Sequence, residues 1–279
     1  GPEAIAAVGI TNQPKFILLA VIFSLNVGVT AVVARRKGQQ DTVGANRCLR
    51  QAVIISLALS ILMSLLGAVF ARPILLFAGA GPDTIEDAVI YFQILMISIV
   101  FMSLSLTINA AQRGAGNTKI SMRTNLAANI VNIILNYLLI NGIWVFPKMG
   151  VAGAAAATAI GNIVGCIMSV MSLFYPAHFL AFRTKTSWRF DRKTMGALVS
   201  ISGSAMVEQV FMRIGFFTYA KIVAGLGTVA FATHQICMNI INLSFSFGDG
   251  LGVAASSLVG QSLGEKRPDM AIIYGKTGQ

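Results

Sequence analysis

The sequence predicts an all-α membrane protein, a polytopic bundle of transmembrane helices. Hydrophobic residues make up 56% of the 279 residues and charged residues only 11%, and the mean hydropathy is +0.75. A soluble domain carries about a quarter charged residues. The apolar segments recur along the whole chain, so a single cleaved signal peptide does not explain them.

Seven apolar runs are long enough to cross the hydrocarbon core, which takes about 20 residues in a helix. Strands are excluded because the runs are too long and because lipid leaves unpaired backbone groups without partners. Short linkers between the runs predict one bundle. The runs cover residues 4–34, 52–70, 88–111, 126–143, 151–173, 197–224 and 229–259.

Basic residues alternate between the linkers, which predicts the orientation, because Lys and Arg are retained on the cytoplasmic side. Alternate linkers hold sixteen of them: Arg35, Arg36, Lys37, Arg47, Arg50, Arg113, Lys119, Arg123, Arg183, Lys185, Arg189, Arg192, Lys193, Lys266, Arg267 and Lys276. The opposite linkers hold only Arg72, Lys148 and Lys221. We therefore expect a multi-pass protein of the plasma membrane, with residue 1 outside the cell and residue 279 in the cytoplasm. The net charge of +11 is thus explained without a nucleic-acid partner.

The two ends of the chain resemble each other. At an offset of 226 residues, eight positions between residues 1 and 38 are identical to positions between 227 and 264. Six helices separate the two starts, so both copies cross in the same direction, as in a parallel repeat about an axis along the membrane normal. Together with the lack of a starting Met, this predicts a fragment of a protein with twelve helices in two six-helix lobes.

The repeat also predicts the domain boundaries. The longest polar linker lies between the fifth and sixth apolar runs of this chain. We expect an N-terminal lobe lacking its first helix at residues 1–175, a cytoplasmic linker at 176–194 and the start of a C-terminal lobe at 195–279.

A turn between two helices reads Arg113-Gly114-Ala115-Gly116-Asn117-Thr118-Lys119. It is not a nucleotide-binding phosphate loop, which needs four residues between its glycines and Lys-Ser/Thr after the second. This turn resembles the Arg-Gly-x-Gly-Asp/Asn-Thr-Lys turn of the multidrug and toxic compound extrusion (MATE) transporters. The segments Gly150-Val151-Ala152-Gly153-Ala154-Ala155 and Val259-Gly260-Gln261-Ser262-Leu263-Gly264 are similar to the start of that family's sixth helix and the end of its eighth.

The resemblance covers the chain from about the family's second helix to just past its eighth. It implies a secondary active multidrug efflux antiporter that exchanges organic cations or drugs for H⁺ or Na⁺ by alternating access between two lobes. We expect no enzymatic activity and no cofactor besides the coupling ion. The expected partners are the lipid bilayer and a small organic cation or drug, and the expected assembly is a monomer.

Two acidic residues lie deep in predicted helices, where charges are costly and usually mark an ion or substrate path. Glu208 is about 21 Å from Thr194 along its helix, and Asp249 about 22 Å from Gly264. Desolvation disfavours the charged form of Glu208, so this carboxyl can take up a proton or be neutralised by Na⁺. In the resembling family the seventh helix often carries a functional acid, which implies a coupling or substrate role for Glu208.

Alternatives to these roles remain open. Either acid could form a static ion pair with Arg213. The glycines on both sides of Asp249 would let its helix break and expose carbonyls to a cation. The candidates to line a cavity are Arg213 and the asparagines Asn129, Asn132 and Asn136, which share a helix face with Asn125. At least two of the asparagines would instead form interhelical hydrogen bonds.

A lipid-linked oligosaccharide flippase of the same superfamily is the alternative function. A flippase would hold several cationic residues in its cavity for a diphosphate. Only Arg213 and Lys15 qualify in this sequence, which favours the antiporter.

Overall fold

The structure is a computed structural model that describes residues 2–78, 85–142, 149–175, 179–181, 191–224 and 228–278. In these ranges it contains nine α-helices and no strand, which confirms the all-α prediction. The helices are α1 (Pro2–Gly38), α2 (Thr42–Val69), α3 (Ala71–Phe77), α4 (Ile85–Gly114), α5 (Thr118–Asn141), α6 (Gly150–Ser172), α7 (Arg192–Ala224), α8 (Thr228–Gly264) and α9 (Pro268–Thr277).

Each of the seven predicted runs forms one long helix. Five of these helices, within the described residues, are long and apolar enough to cross a membrane: Pro14–Gly38, Thr42–Val69, Ile85–Gly114, Gly150–Ser172 and Arg192–Phe216. Helix α5 has 24 residues, but its asparagines lower its hydropathy. Helix α8 extends over 37 residues. The short helices α3 and α9 were not predicted, because neither is long enough to form an apolar span.

Several helices continue well beyond the apolar runs. Helix α2 begins at Thr42, where Asp41 caps it by accepting a hydrogen bond from the Gly44 backbone nitrogen at 2.8 Å. Arg47 and Arg50, counted above with the linkers, therefore lie on α2, and Arg50 is buried with 4% exposure. Apolar content locates only the part of a helix inside the hydrocarbon, so it misses the polar turns on either side.

Helix α1 is central to the packing, since it contacts α2, α4, α7 and α8. Helices α4, α5 and α6 form a second group through small residues. A Cβ on Gly153 would lie 2.8 Å from the Leu139 carbonyl oxygen, and one on Gly161 would lie 2.9 Å from that of Ala128. Such glycines let backbones approach closely where lipid gives no hydrophobic driving force.

The described part of the predicted linker is attached to α2. The Asn46 side chain donates to the Phe179 carbonyl oxygen at 3.2 Å and accepts from the Ala181 backbone nitrogen at 2.9 Å. Leu180, between them, is fully buried in a cluster with Leu198 of α7. These contacts fix residues 179–181 against both α2 and the start of α7.

Candidate functional site

One end of the bundle, here called the basic end, brings together the C-termini of α1, α4 and α8 and the N-termini of α5 and α7. Ser257 of α8 reaches the Arg113 carbonyl there, and Arg47 of α2 lies 4.0 Å from Asp191 before α7. The basic residues at these helix ends are Arg35, Arg36, Lys37, Arg113, Lys119, Arg192, Lys193, Lys266 and Arg267. The predicted clustering of basic residues at one end is therefore present in the fold.

Helices α1 and α8 cross at the basic end through small residues. A Cβ on Gly260 would lie 2.7 Å from the Cβ of Ala34, and these two positions differ by 226. On either side of this point, Gly38 lies against the Gln261 backbone and Gly264 against that of Arg35. Gly38 and Gly264 are 226 residues apart, and so are Arg35 and Gln261. Each contact is therefore the counterpart of the other, as expected for two repeats related by a two-fold axis.

Helix α8 also holds the end of α4. The Ser257 hydroxyl donates to the Arg113 carbonyl oxygen at 2.9 Å, and Gln261 Nε2 donates to that of Gly114 at 3.1 Å. The last carbonyls of a helix have no intrahelical partner. Gln261 supplies one for Gly114, and Ser257 adds a second donor to the Arg113 carbonyl, which also accepts from the Gly116 backbone nitrogen. Sequence reasoning missed Ser257 and Gln261, although both fall within or beside a motif that carried the family resemblance.

Helices α1 and α7 run antiparallel from the basic end toward the opposite end. A Cβ on Gly28 would fall on the Ser202 hydroxyl and lie 3.2 Å from the Leu198 carbonyl oxygen. Farther along, the guanidinium carbon of Arg213 lies 5.2 Å from the centre of the Phe16 ring. Lys15 Nζ lies 5.1 Å from the same ring centre. Both cations therefore lie against Phe16.

Glu208 lies five residues before Arg213 on α7. It lies on α7 between Ser202 and Arg213 and is exposed. One to three turns farther, on the same helix face, Met212, Gly215, Phe216 and Tyr219 line a groove of about 360 Å³. The described residues form four ion pairs, and none includes Glu208 or Arg213. The static Glu208–Arg213 pair considered above is therefore not formed within the described part of the chain.

Asp249 is exposed on α8. Helix α8 is continuous through Gly248, Asp249 and Gly250, so the break that these glycines would allow is not present. Glycine lowers helix propensity by about 1 kcal/mol, and this cost does not outweigh the backbone hydrogen bonds of a 37-residue helix. The pair with Arg213 is also not formed among the described residues.

The two carboxylates lie at similar depth. From the Ala34–Gly260 contact, Asp249 is eleven residues back along α8, about 16 Å. The distance to Glu208 is counted along two helices. Gly28 lies six residues before Ala34 on α1 and is in contact with Ser202 of α7. Glu208 lies six residues beyond Ser202, so the twelve residues together amount to about 18 Å. Both acids are thus displaced from the α1–α8 crossing toward the opposite end by nearly the same distance.

The asparagines of α5 divide into two pairs. Asn132 Nδ2 donates to the Thr158 hydroxyl of α6 at 3.1 Å, and Asn136 Nδ2 donates to Asn132 Oδ1 at 3.0 Å. Asn125 and Asn129 are exposed. Asn132 thus has the interhelical role that was the alternative to cavity lining, whereas Asn136 bonds within α5 and Asn129 keeps its candidacy.

Two buried hydrogen-bond networks connect the helices of this region. Thr107 lies 3.0 Å from Asn26 Oδ1 and 2.9 Å from the Ser56 hydroxyl, and Ser56 lies 2.6 Å from Ser103. In the second network, Asn109 Oδ1 of α4 accepts a hydrogen bond from the Thr124 hydroxyl of α5 at 3.2 Å. The serines were missed, because a serine in an apolar run gives no periodic signal.

The comparisons with known proteins extend over nearly all of the chain, although the family model leaves out residues 139–203. The family model MatE matches residues 1–138 and 204–279. The probable multidrug resistance protein NorM of Thermotoga maritima is 25% identical over 275 residues, which cover 97% of this chain and 58% of that protein. Multidrug resistance protein PmpM of Pseudomonas aeruginosa is 30% identical over 275 residues, covering 96% and 56%. The chain thus spans less than three fifths of these relatives.

Solved structures show the same fold. A MATE transporter in the bent conformation superimposes with a TM-score of 0.91 at 23% identity, covering 100% of this chain and 61% of that one. A transporter described as an outward-facing MATE family member of the MOP superfamily gives a TM-score of 0.91 at 22% identity, with the same coverage. The apolar helices and these matches identify a multi-pass membrane protein. The chain belongs to the MatE family, the multidrug and toxic compound extrusion transporters.

Proposed function

We propose that the full-length protein carrying this chain is a secondary active antiporter that exports organic cations or drugs in exchange for H⁺ or Na⁺. The single observation that carries the proposal is the position of Glu208 and Asp249 relative to the α1–α8 crossing. The two copies of the repeat are in close contact at the basic end. The carboxylates lie about 16 to 18 Å away on exposed helix faces, where an organic cation would meet them from the opposite end.

The chemistry follows from competition for a carboxylate. An ionised Glu208 attracts an organic cation, and the aromatic groove residues Phe216 and Tyr219 would contact its apolar and cationic surface. Binding of H⁺ or Na⁺ to the carboxylate cancels that attraction. Release of the cation is thereby coupled to entry of the ion, as an antiporter requires.

The orientation and surroundings belong to the same proposal. The basic end faces the cytoplasm by the positive-inside rule, so the present arrangement is closed to the cytoplasm. The protein works as a monomer in the plasma membrane, with two lobes that rock about the α1–α8 crossing and no cofactor besides the coupling ion. The division at residues 176–194 supplies the linker between the lobes.

The test is efflux of a fluorescent organic cation from vesicles containing the full-length protein, with H⁺ and Na⁺ gradients imposed separately. We expect one gradient to drive efflux and Glu208→Gln to abolish the response to it. Glu265→Gln, which removes an exposed acid beyond the end of α8, is the matched control and should behave as wild type. Absence of efflux under both gradients would overturn the proposal in favour of the flippase.

A further inference from the structure

A cavity of about 310 Å³ lies at the basic end, where α1, the α4–α5 turn and the described part of the linker meet. This volume is at the lower end of the range for small-ligand sites, about 300 to 1,000 Å³. Its lining residues are Lys37, Gln112, Ala115, Gly116, Asn117, Thr118, Lys119 and Phe179. The cavity is about 20 Å along α1 from the level of Glu208, so it is separate from the proposed transport site.

The charge of the cavity is positive. Its described lining includes two lysines and no carboxylate. The ion pairs among the described residues use Arg36, Arg47, Arg72 and Arg267 as their cations. Lys37 lies with Nζ 4.1 Å from the centre of the Phe179 ring, a contact that positions the ammonium group without neutralising it.

The start of α5 adds to this positive charge. Asn117 and Thr118 line the cavity where the 24-residue helix begins, and the Asn117 side chain forms no cap hydrogen bond. The first N–H groups of a helix and its dipole attract anions. An anion with several acceptor oxygens is therefore the ligand that these groups fit.

The walls of the cavity are held in place. In the turn, the Asn117 backbone nitrogen donates to the Gln112 carbonyl oxygen at 2.8 Å, and that of Gly116 donates to Arg113 at 2.9 Å. Gly116 has φ +84°, a conformation that glycine adopts without strain. On the other side, Asn46 fixes Phe179 through the Phe179 carbonyl oxygen. Little ordering is therefore required when a ligand binds.

We propose that this cavity binds the phosphate group of an anionic phospholipid from the leaflet at the basic end. Basic pockets between transmembrane helices on the cytoplasmic side recognise such headgroups. The cavity lies at the ends of membrane-spanning helices, the depth at which headgroups lie. The site is not a nucleotide loop, since the turn lacks the required glycine spacing. A soluble phosphate offers the same chemistry, so the experiment separates the two sources.

The test is native mass spectrometry of the full-length protein in mild detergent, titrated with phosphatidylglycerol, phosphatidylcholine or inorganic phosphate. Each lysine near a membrane surface contributes about fivefold in affinity for an anionic lipid. We expect Lys37→Gln with Lys119→Gln to weaken phosphatidylglycerol binding roughly 30-fold, toward that of phosphatidylcholine. The double variant Lys37→Arg with Lys119→Arg keeps both positive charges and should keep the binding. Retained binding would also show that substitution at these two positions leaves the turn folded.

Lys193→Gln with Lys276→Gln is the matched control, because both lysines are exposed and neither lines the cavity. This control removes the same charge and should leave binding within about threefold of wild type. Equal losses in the two double variants would overturn the site and indicate nonspecific attraction. Binding of inorganic phosphate but not of phosphatidylglycerol, lost only in the Lys37/Lys119 variant, would overturn the lipid source and assign a soluble phosphate.

Discussion

Gly38 on α1 and Gly264 on α8 occupy equivalent positions of the 226-residue repeat, and each lies against the backbone of the opposite helix. A Cβ on Gly38 would fall on the Gln261 carbonyl oxygen, and a Cβ on Gly264 on that of Arg35. Arg35 and Gln261 are themselves 226 residues apart. Neither glycine can acquire a side chain without separating the two helices at the basic end.

Gly264→Leu should therefore shift the full-length protein away from the arrangement closed at the basic end. Overpacking costs about 1 to 3 kcal/mol, which corresponds to about a 5- to 150-fold change in population. The measurement is the rate at which a short bifunctional maleimide cross-links Gln39→Cys to Glu265→Cys, two exposed positions at the basic end, with Cys48, Cys166 and Cys237 replaced. Gly252→Leu is the control on the same helix, because open space surrounds Gly252. Equal cross-linking in both leucine variants would contradict the prediction.

Glu208 and Asp249 should act as one ion site if both carboxylates bind the same coupling ion. The double variant Glu208→Gln/Asp249→Asn would then lose no more coupled efflux than the more severe single variant, because groups that act as a unit are strongly non-additive. The measurement is gradient-driven efflux by all four members of the cycle. Additive losses would assign the two acids to separate roles, one of them for the substrate.

Phe16 should couple energetically to Arg213 across the α1–α7 contact. A cation over an aromatic face contributes about 0.5 to 2 kcal/mol, more when it is desolvated. In a double-mutant cycle of Phe16→Leu and Arg213→Met, we expect a coupling energy in that range, measured by unfolding of the full-length protein in detergent. Ile17→Leu, at a neighbouring exposed position, should show no coupling to Arg213→Met. A coupling energy below about 0.3 kcal/mol would show that Arg213 does not contact Phe16 in the protein in solution.

Asn132 and Asn129 should have opposite phenotypes although they share a helix. Asn132→Ala removes the hydrogen bond to Thr158 and should lower stability by about 0.6 kcal/mol, up to about 1.7, with the substrate KM unchanged. Asn129→Ala affects an exposed side chain and should change stability by less than about 0.5 kcal/mol. If Asn129 lines the substrate cavity, its variant raises KM for efflux. The reverse pattern would exchange the two roles.

Asp191 should make the stability of the basic end depend on pH. Hydrogen bonds from the Thr194 hydroxyl and backbone nitrogen, and then the charge of Arg47, hold the pKa of the Asp191 carboxyl below its usual value. The ionised form is therefore favoured in the fold. Its contribution is complete above the unfolded pKa and is lost as the pH falls through the lower folded pKa.

Asp191→Asn tests this dependence, because Asn caps a helix as Asp does but cannot ionise. The melting temperature of wild type should exceed that of the variant at neutral pH, and the difference should disappear as the solution is acidified below the usual carboxyl pKa. Thermal unfolding of the full-length protein from pH 7 to pH 3 measures it. A constant difference across this range would show that the charge of Asp191 does not contribute.

The class of fold was predictable because it depends on local composition. Long apolar runs dictate helices in lipid whatever their neighbours, so all seven runs form helices. The ends of those helices were not predictable, since capping residues such as Asp41 lie in polar sequence outside the apolar runs. Arg50 shows the consequence, because a residue counted with a linker is buried on α2.

The sequence pointed to candidate site residues only where a charged side chain falls in a helix predicted to cross the membrane, because such a charge is energetically costly there. Glu208 and Asp249 were named from the sequence because a charge within an apolar run is costly in a membrane, and their roles stay predictions. The partners of Arg213 and Asn132 were left as alternatives, since helix periodicity gives the face of a side chain but not the helix opposite. The motif that contains Gln261 and follows Ser257 gave no sign of their structural role, because that role depends on the end of α4, more than 140 residues away.

The sequence by itself thus determined the membrane class and the clustering of basic charge, because both depend on composition along the chain. Only the tertiary structure decided that Arg213 lies against Phe16, that α8 continues through Asp249 and that Lys37 and Lys119 share a cavity. These facts depend on which helices pack together. Packing in lipid is decided by close backbone approach at small residues such as Gly38 and Gly264, whose partners are known only once the helices are assembled.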